Sequence, residues 1–224
     1  MPMAIEKDIL MATSFEPASM PRLRCELHNA ITHFAHSTFE CDMTDPRSIE
    51  LVHFGSKRWA NYFKVVLLGL QSVLPPEVRQ NAHGTIKVLV DGTVPPESSL
   101  SSSAAMTTCS SIVILTALKA LHVVPRKVIA DVACHSERLV GVHSGGMDQA
   151  VSVFGQRDKA LFVSFAPTLH VSPIELPLGH QYVFLVTNTM IKSDKKATAP
   201  ERYNLRVVET RLAAAVLKRV LQTK

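Results

Sequence analysis

The chain has little of what would assign it to a specialised class. Its four cysteines, Cys25, Cys41, Cys109 and Cys134, show no CxxC spacing, and the opening MPMAIEKDIL has neither a basic segment nor an apolar run sufficient for a signal peptide. A reducing, cytoplasmic setting fits best. Aromatic residues make up 6% of the chain and no basic cluster is interleaved with them. The 24 Lys and Arg are spread along the sequence and faced by 19 Asp and Glu, so the net charge of +5 tolerates anionic ligands without indicating a nucleic-acid surface. The longest apolar tract, SIVILTALKALHVV, is interrupted by Thr116, Lys119 and His122. It falls short of the roughly 18 to 20 apolar residues that span a bilayer, so a membrane partner is not expected. What remains is 224 residues, 46% of them hydrophobic, enough to bury one large core or two modest ones.

Residues 1–50 show little periodicity. Their histidines His28, His33 and His36 are spaced by five and three without a fixed acidic partner, and read as scattered surface groups rather than metal ligands. From Lys57 the pattern sharpens. Trp59, Tyr62 or Phe63, Val66, Leu70 and Val73 recur at helical spacing until Pro75 and Pro76 end the segment. HGTIKVLVDG then alternates Ile86, Val88 and Val90 against Lys87 and Leu89, which predicts a strand. Beyond the break at Gly92, Pro95 and Pro96, a helix is expected from Ser101 to about Leu121, with an apolar stripe of Ile112, Leu115, Leu118 and Leu121. A further helix should start at Pro125 and run to Gly141 with Val128, Ile129, Val132 and Leu139 apolar, and another after Gly145 and Gly146. Strands are expected at 159–165 and 181–189. The last segment, after Pro200, places Leu205, Val208, Leu212, Val216 and Val220 near helical spacing. Strands and helices in this irregular order suggest an α+β layer structure rather than repeated βαβ units.

Two stretches carry chemistry. SSLSSSAAM, Ser98 to Met106, sits at a strand–turn–helix junction between two elements that both need a core, which disfavours a linker. Free N–H groups at a helix start, with serine hydroxyls and the helix dipole, make an anion site without a lysine. The run is neither GxxxxGK[ST] nor GxGxxG, so composition alone leaves an anion site and a merely well-capped helix both open. In GVHSGGMDQ, Asp148 follows two glycines at a helix start. It is either a helix cap or a carboxylate aimed into a cleft lined by the serine turn.

Together VDGTVPPESSLSSSAAM, GVHSGGMDQAVSVFG and TNTMIKSDKKATAPERYNLRVVE closely resemble galactokinases of the GHMP sugar-kinase family, the last block its fungal branch. The resemblance covers about Trp59 to Glu209. It implies an α+β fold, an incomplete GHMP-kinase N-terminal domain with a layered mixed sheet and helices. The expected division is a poorly patterned segment 1–50, a partial N-terminal domain 51–188 with the ATP-binding loop, and 189–224 as linker and first helix toward a further domain. The family loop PxGxGLSSSAA is matched by Pro95 and by Leu100, Ser101, Ser102, Ser103, Ala104 and Ala105. By resemblance Leu100 to Ala104 bind the nucleotide, Ser103 and Glu137 hold Mg²⁺, Asp148 is the catalytic carboxylate, and Gly145, Asp148 and Tyr203 meet the sugar.

The function so implied is phosphoryl transfer from ATP to the C1 hydroxyl of galactose, with Mg²⁺ accompanying ATP. An alternative is a non-catalytic galactose and ATP sensor that binds a transcriptional repressor, and a third reading is an inactive fragment. The sensors lack a Ser-Ala pair in the serine loop, and the unshortened SSSAA here favours the kinase. The chain departs from the pattern where the family loop has its two glycines. Here stand Glu97, a carboxylate beside a polyphosphate, and Ser99, a side chain where the backbone approaches closely; both should weaken ATP binding. No GRVNLIGEHxDY block precedes Trp59 and no glycine-rich third motif follows, so the resemblance is to a central portion truncated at both ends.

Overall fold

A computed structural model describes residues 2–19, 21–176, 184–187, 189–191 and 199–222. Strand β1 is Ile9–Pro17, β2 Leu23–Asn29, β3 Ser37–Cys41 and β4 Gly84–Gly92; they form one mixed sheet in the order β1-β4-β2-β3. β4 pairs antiparallel with β1 and parallel with β2, and β2 pairs antiparallel with β3. The alternation in HGTIKVLVDG is realised: Ile86, Val88 and Val90 are buried and Leu89 is exposed. The opposite face is exposed; it carries Leu10 and Leu89 and also the ion pairs Lys87–Glu16, 2.7 Å, and Arg24–Glu26, 2.9 Å.

The residues before 50, which show little pattern, thus supply three of the four strands. Their signal is weak for a physical reason. β1 is an edge strand with no fully buried residue, and β3 has only five residues. In β2, Leu23, Cys25 and Leu27 do alternate with Arg24, Glu26 and His28, and all three are fully buried. His28 and His36 are not scattered either. Their rings stack with centroids 4.8 Å apart at the ends of β2 and the turn into β3.

Helices cover the inner face. α1, Asn61–Gln71, follows a short 3-10 turn, Arg58–Ala60, and buries Phe63, Val66 and Leu70 as its spacing predicts. Its buried polar side chains tie down the irregular segment before it. Asn61 pairs with both backbone groups of Val52, Lys64 Nζ donates to the Glu50 carbonyl at 2.7 Å, and Gln71 donates to the Asp42 carbonyl at 3.1 Å. Gly69 lets α1 lie close to a later helix, α4, Arg126–Arg138, because a Cβ there would stand 2.3 Å from Ser136 Oγ. A short helix α2, Pro76–Gln80, leads into β4.

α3, Ser102–Ala117, passes through the centre, packed against α1, α4, β1 and α5, Met147–Phe154. The expected stripe on α3 is corrected. Leu115 is fully buried, but Ile112 is exposed and Leu121 lies past the helix end and is exposed. Neighbours on several sides bury Thr107, Ser110, Ser111, Val113 and Ile114 as well, and a helix enclosed all round has no single apolar face. On α4, Ile129 and Val132 are buried as expected whereas Leu139, just past its end, is exposed.

A hairpin of β5, Lys159–Ser164, and β6, His170–Glu175, follows. The strand expected at 181–189 falls partly outside the described residues; 184–187 and 189 lie in no regular element. A π-helical turn, Ala199–Tyr203, opens into α6, Asn204–Gln222. α6 forms where expected, but it buries no residue, and Leu212 and Val216 of its stripe are each 62% exposed. No helix among the described residues is long and apolar enough to cross a membrane.

Candidate active site

The loop from β4 to α3 has unusual backbone. Glu97, Ser99 and Ser101 have φ of 58°, 61° and 58°, while Ser98 and Leu100 between them do not take positive φ. Such alternation turns successive N–H groups toward one side and forms an anion-binding concavity. Ser101 occupies the N-cap of α3, yet its side chain makes no capping bond; the helix starts from Ala105 N–H to the Ser101 carbonyl at 3.0 Å. The well-capped reading therefore does not hold. Donors that a capping hydroxyl would have satisfied stay available to a ligand, and the dipole favours an anion there.

This loop forms part of a cavity of about 540 Å³. Glu97, Ser99, Ser101, Ser102 and Ser103 line it on one side, and Phe34, Trp59 and Tyr62 on another. Trp59 is fixed by its indole N–H, which donates to the Ala35 carbonyl at 2.8 Å, and it lies 6.3 Å from the Phe34 ring. Leu100 and Ala104 are not among the lining residues; Ala104 faces the interior and is buried. A serine-lined, N–H-rich end and an aromatic end in one cavity suit a ligand with an anionic head and a flat apolar body.

A second cluster joins α4, α5 and the loop between them. Glu137 on α4 is buried, and its Oε2 accepts from the Gln149 amide and from Ser144 Oγ at 3.3 Å. Arg138 reaches the Ser144 carbonyl at 3.5 Å. Gly146, not Asp148, is the N-cap of α5, and it makes no side-chain cap. Its φ of +90° strains any other residue, and a Cβ would crowd Cys134 Sγ at 3.1 Å. Gly145 has nothing within 4 Å of a built Cβ, so it borders open space. Asp148 is half-buried in the first turn of α5. Burial, together with the negative charges of Asp148 and Glu137, pushes the Tyr203 phenol above its usual value, which brings Tyr203 electrostatically into the same group. Asn204 holds the start of α6 to this loop, accepting from His143 N–H at 3.1 Å and donating to the Gly141 carbonyl at 3.2 Å.

Ser101, Ser102 and Ser103 thus share one cavity, whereas Asp148, Glu137, Gly145 and Tyr203 do not line it; the charges of Asp148 and Glu137 are nonetheless felt at the Tyr203 phenol. The link between the two groups is the second loop, whose Val142 lines the cavity and whose Ser144 meets Glu137. The sequence reading assigned no role to Gln149, Ser144 or the Phe34, Trp59 and Tyr62 wall. Gln149 stands within the GGMDQ block beside Asp148, and Trp59 is the only tryptophan in the chain, but neither position announces its partner.

The family described as GHMP kinases N terminal domain matches residues 61–156. The chain is 32% identical over 225 residues to the galactokinase of Schizosaccharomyces pombe and 35% identical over 222 residues to that of Candida albicans. This chain is a galactokinase homologue with a GHMP kinase N-terminal domain. The two matches cover 97% and 99% of it, and it spans 42% of the length of either relative. The solved Lactococcus lactis galactokinase, complexed with galactose, has the same fold, with a TM-score of 0.69 over 99% of this chain and 51% of that one at 21% identity.

Proposed function

We propose that this homologue carries the cleft for phosphoryl transfer from ATP to the C1 hydroxyl of galactose, in the cytoplasm. The observation that carries the reading is the uncapped start of α3, whose donors and serine hydroxyls line a cavity with an aromatic wall. The Ser101 to Ser103 turn binds the phosphates and the Phe34, Trp59 and Tyr62 side receives the base. Gly145, with open space above it, and Tyr203 border the sugar. Asp148 accepts the proton of the attacking hydroxyl or supports its loss electrostatically, so the acceptor oxygen gains nucleophilicity in line with the terminal phosphate. Its amide neighbours in the first turn of α5 keep the carboxylate near a positive dipole end.

Ser103 offers Mg²⁺ a hydroxyl at the cavity and Glu137 a carboxylate, both hard oxygen donors, but Glu137 is buried, bonded to Gln149 and Ser144 and outside the cavity lining, so in this arrangement only Ser103 can meet the ion. Among the described residues no group of three or more His, Cys, Asp or Glu could hold a metal, so the ion would be shared with nucleotide phosphates and water. When bound it neutralises phosphate charge as the transferring group leaves.

The test is calorimetric and kinetic. Ser103→Ala should weaken Mg-ATP binding, and Asp148→Asn should lower galactose phosphorylation by about 10² or more while leaving galactose affinity within a few-fold. Equal turnover with Asp148→Asn would remove the catalytic assignment.

A further inference from the structure

We infer that His28 and His36 form a binding site for a divalent transition-metal ion of the class that prefers imidazole, such as Zn²⁺, Ni²⁺ or Cu²⁺. The site is separate from the phosphoryl-transfer reading and does not depend on it. β2 and β3 pair antiparallel from Leu23 with Cys41 to Leu27 with Ser37, and the same register carried one step further sets His28 opposite His36. Leu27 and Ser37 are buried, so the next pair points to the open face of the sheet, where both histidines are exposed. Two imidazoles separated in the chain by the loop 29–35 are thus held side by side, with an interplanar angle of 19°.

Their nitrogens are available to an ion. The His28 ring makes no hydrogen bond among the described residues. His36 Nε2 lies 3.0 Å from Thr38 Oγ1. In the tautomer that donates to Thr38, Nδ1 keeps its lone pair, and an outer hydrogen bond of this kind is what orients a metal-bound imidazole. An ion about 2.0–2.1 Å from one nitrogen of each ring needs those nitrogens roughly 3–3.4 Å apart. From centroids 4.8 Å apart that spacing is reached by rotation about χ2, a broad torsion, with the strands unmoved. Glu26, which precedes His28 on the same face of β2, is bound to Arg24 at 2.9 Å, so water completes the coordination. Two imidazoles and water select against Mg²⁺, which takes oxygen ligands. The pair also closes the neck of the loop that sends Asn29, Ile31, His33 and Phe34 to the cavity, and Ala35, beside His36, accepts the Trp59 indole N–H. An ion bridging His28 and His36 therefore steadies that cavity wall.

The test titrates ZnCl₂ by calorimetry into the 224-residue chain, freed of metal by EDTA and dialysis. Saturable binding is expected, undisturbed by a large excess of Mg²⁺. His28→Phe and His36→Phe each keep a stacking ring and remove the nitrogens. Each should weaken Zn²⁺ binding about tenfold or more, since groups that merely orient a ligand already act on that scale. His33→Phe should leave it within about twofold. Unchanged affinity in His28→Phe or in His36→Phe overturns the inference, as does an equal loss in His33→Phe, displacement by Mg²⁺, or no saturable binding to the unaltered chain. A second measurement does not depend on the variants folding. In the unaltered chain the ring signals of His28 and His36 in a ¹H–¹⁵N spectrum should shift together and saturate at the same Zn²⁺ concentration; shifts in only one of the two rings, or only in other histidines, overturn the inference.

Discussion

The two halves of the cleft are built in opposite ways. The serine loop is made of backbone, exposed at Glu97 and Ser99 and half-buried from Leu100 to Ser103, and bent through left-handed φ at Glu97, Ser99 and Ser101, none of which is glycine. The Glu137–Gln149 half is made of buried side chains on two helices, and where it needs a left-handed residue it has Gly146. A backbone-built anion site keeps its donors whatever side chains it carries, at a cost of about 1 kcal/mol for each strained residue. A side-chain-built site has no such tolerance, since each group fixes the next. The first half should respond to substitution by adjusting its affinity, and the second by losing its structure.

The comparison breaks most sharply at the paired glycines. Gly146→Ala should destabilise the fold by about 2 kcal/mol, from left-handed strain plus displacement of Cys134, and lower the melting temperature by about 4–8 °C. Gly145→Ala, opening onto free space, should change stability by less than about 0.5 kcal/mol yet weaken galactose binding. Equal melting temperatures for the two variants would show that packing around Gly146 is no tighter than at Gly145.

Restoring glycine in the loop should act on affinity instead. Glu97→Gly with Ser99→Gly removes a carboxylate and two strained positions, so Mg-ATP should bind about tenfold tighter, the equivalent of about 1.4 kcal/mol. Stability should move by less than about 1 kcal/mol, because relief of strain is offset by the freedom glycine adds to the unfolded chain. Titration showing unchanged affinity would mean that the loop already accommodates both side chains.

The smallest contrast is in the thiols. Burial alone pushes Cys109, on α3, up to about 11, whereas for Cys134 burial also raises the thiol but Ser144 and Arg138 act against it. A thiol whose folded value is raised favours the fold while neutral. That stability is present in full below the ordinary value of 9.0 and is lost as pH rises through about 11. Cys109→Ala should flatten the alkaline fall in urea-melt stability more than Cys134→Ala, and the reverse order would contradict the assignment of causes.

How much of this is legible in the sequence follows from the kind of order involved. The two-residue alternation of β4 reads directly, and so do Phe63, Val66 and Leu70 of α1, although packing on several sides also buries Lys64, Val65, Leu67 and Gln71 there. α3 and α6 show the two ways in which periodicity misleads. α3 is enclosed by neighbours and buries Thr107, Ser110 and Ser111, so its stripe is not the one its leucines suggest. α6 has a regular stripe that nothing among the described residues covers. In the site, the serine run and Asp148 are recognisable by type and spacing. The Gln149–Glu137 bond joins residues twelve apart on different helices, and the aromatic wall comes from residues 34 to 62, so both depend on packing that no local pattern encodes.

The central claim is that the strained serine loop and the buried acid cluster serve one reaction. It is tested most directly by following ³¹P signals of ATP with galactose and Mg²⁺, for the chain and for Ser103→Ala and Asp148→Asn separately. The account predicts galactose 1-phosphate from the unaltered chain and losses of about 10² or more in either variant, with ATP affinity reduced only by Ser103→Ala and galactose affinity retained in both. Galactose 1-phosphate formed at the same rate by Asp148→Asn, or binding of both ligands with no product from the unaltered chain, would contradict it.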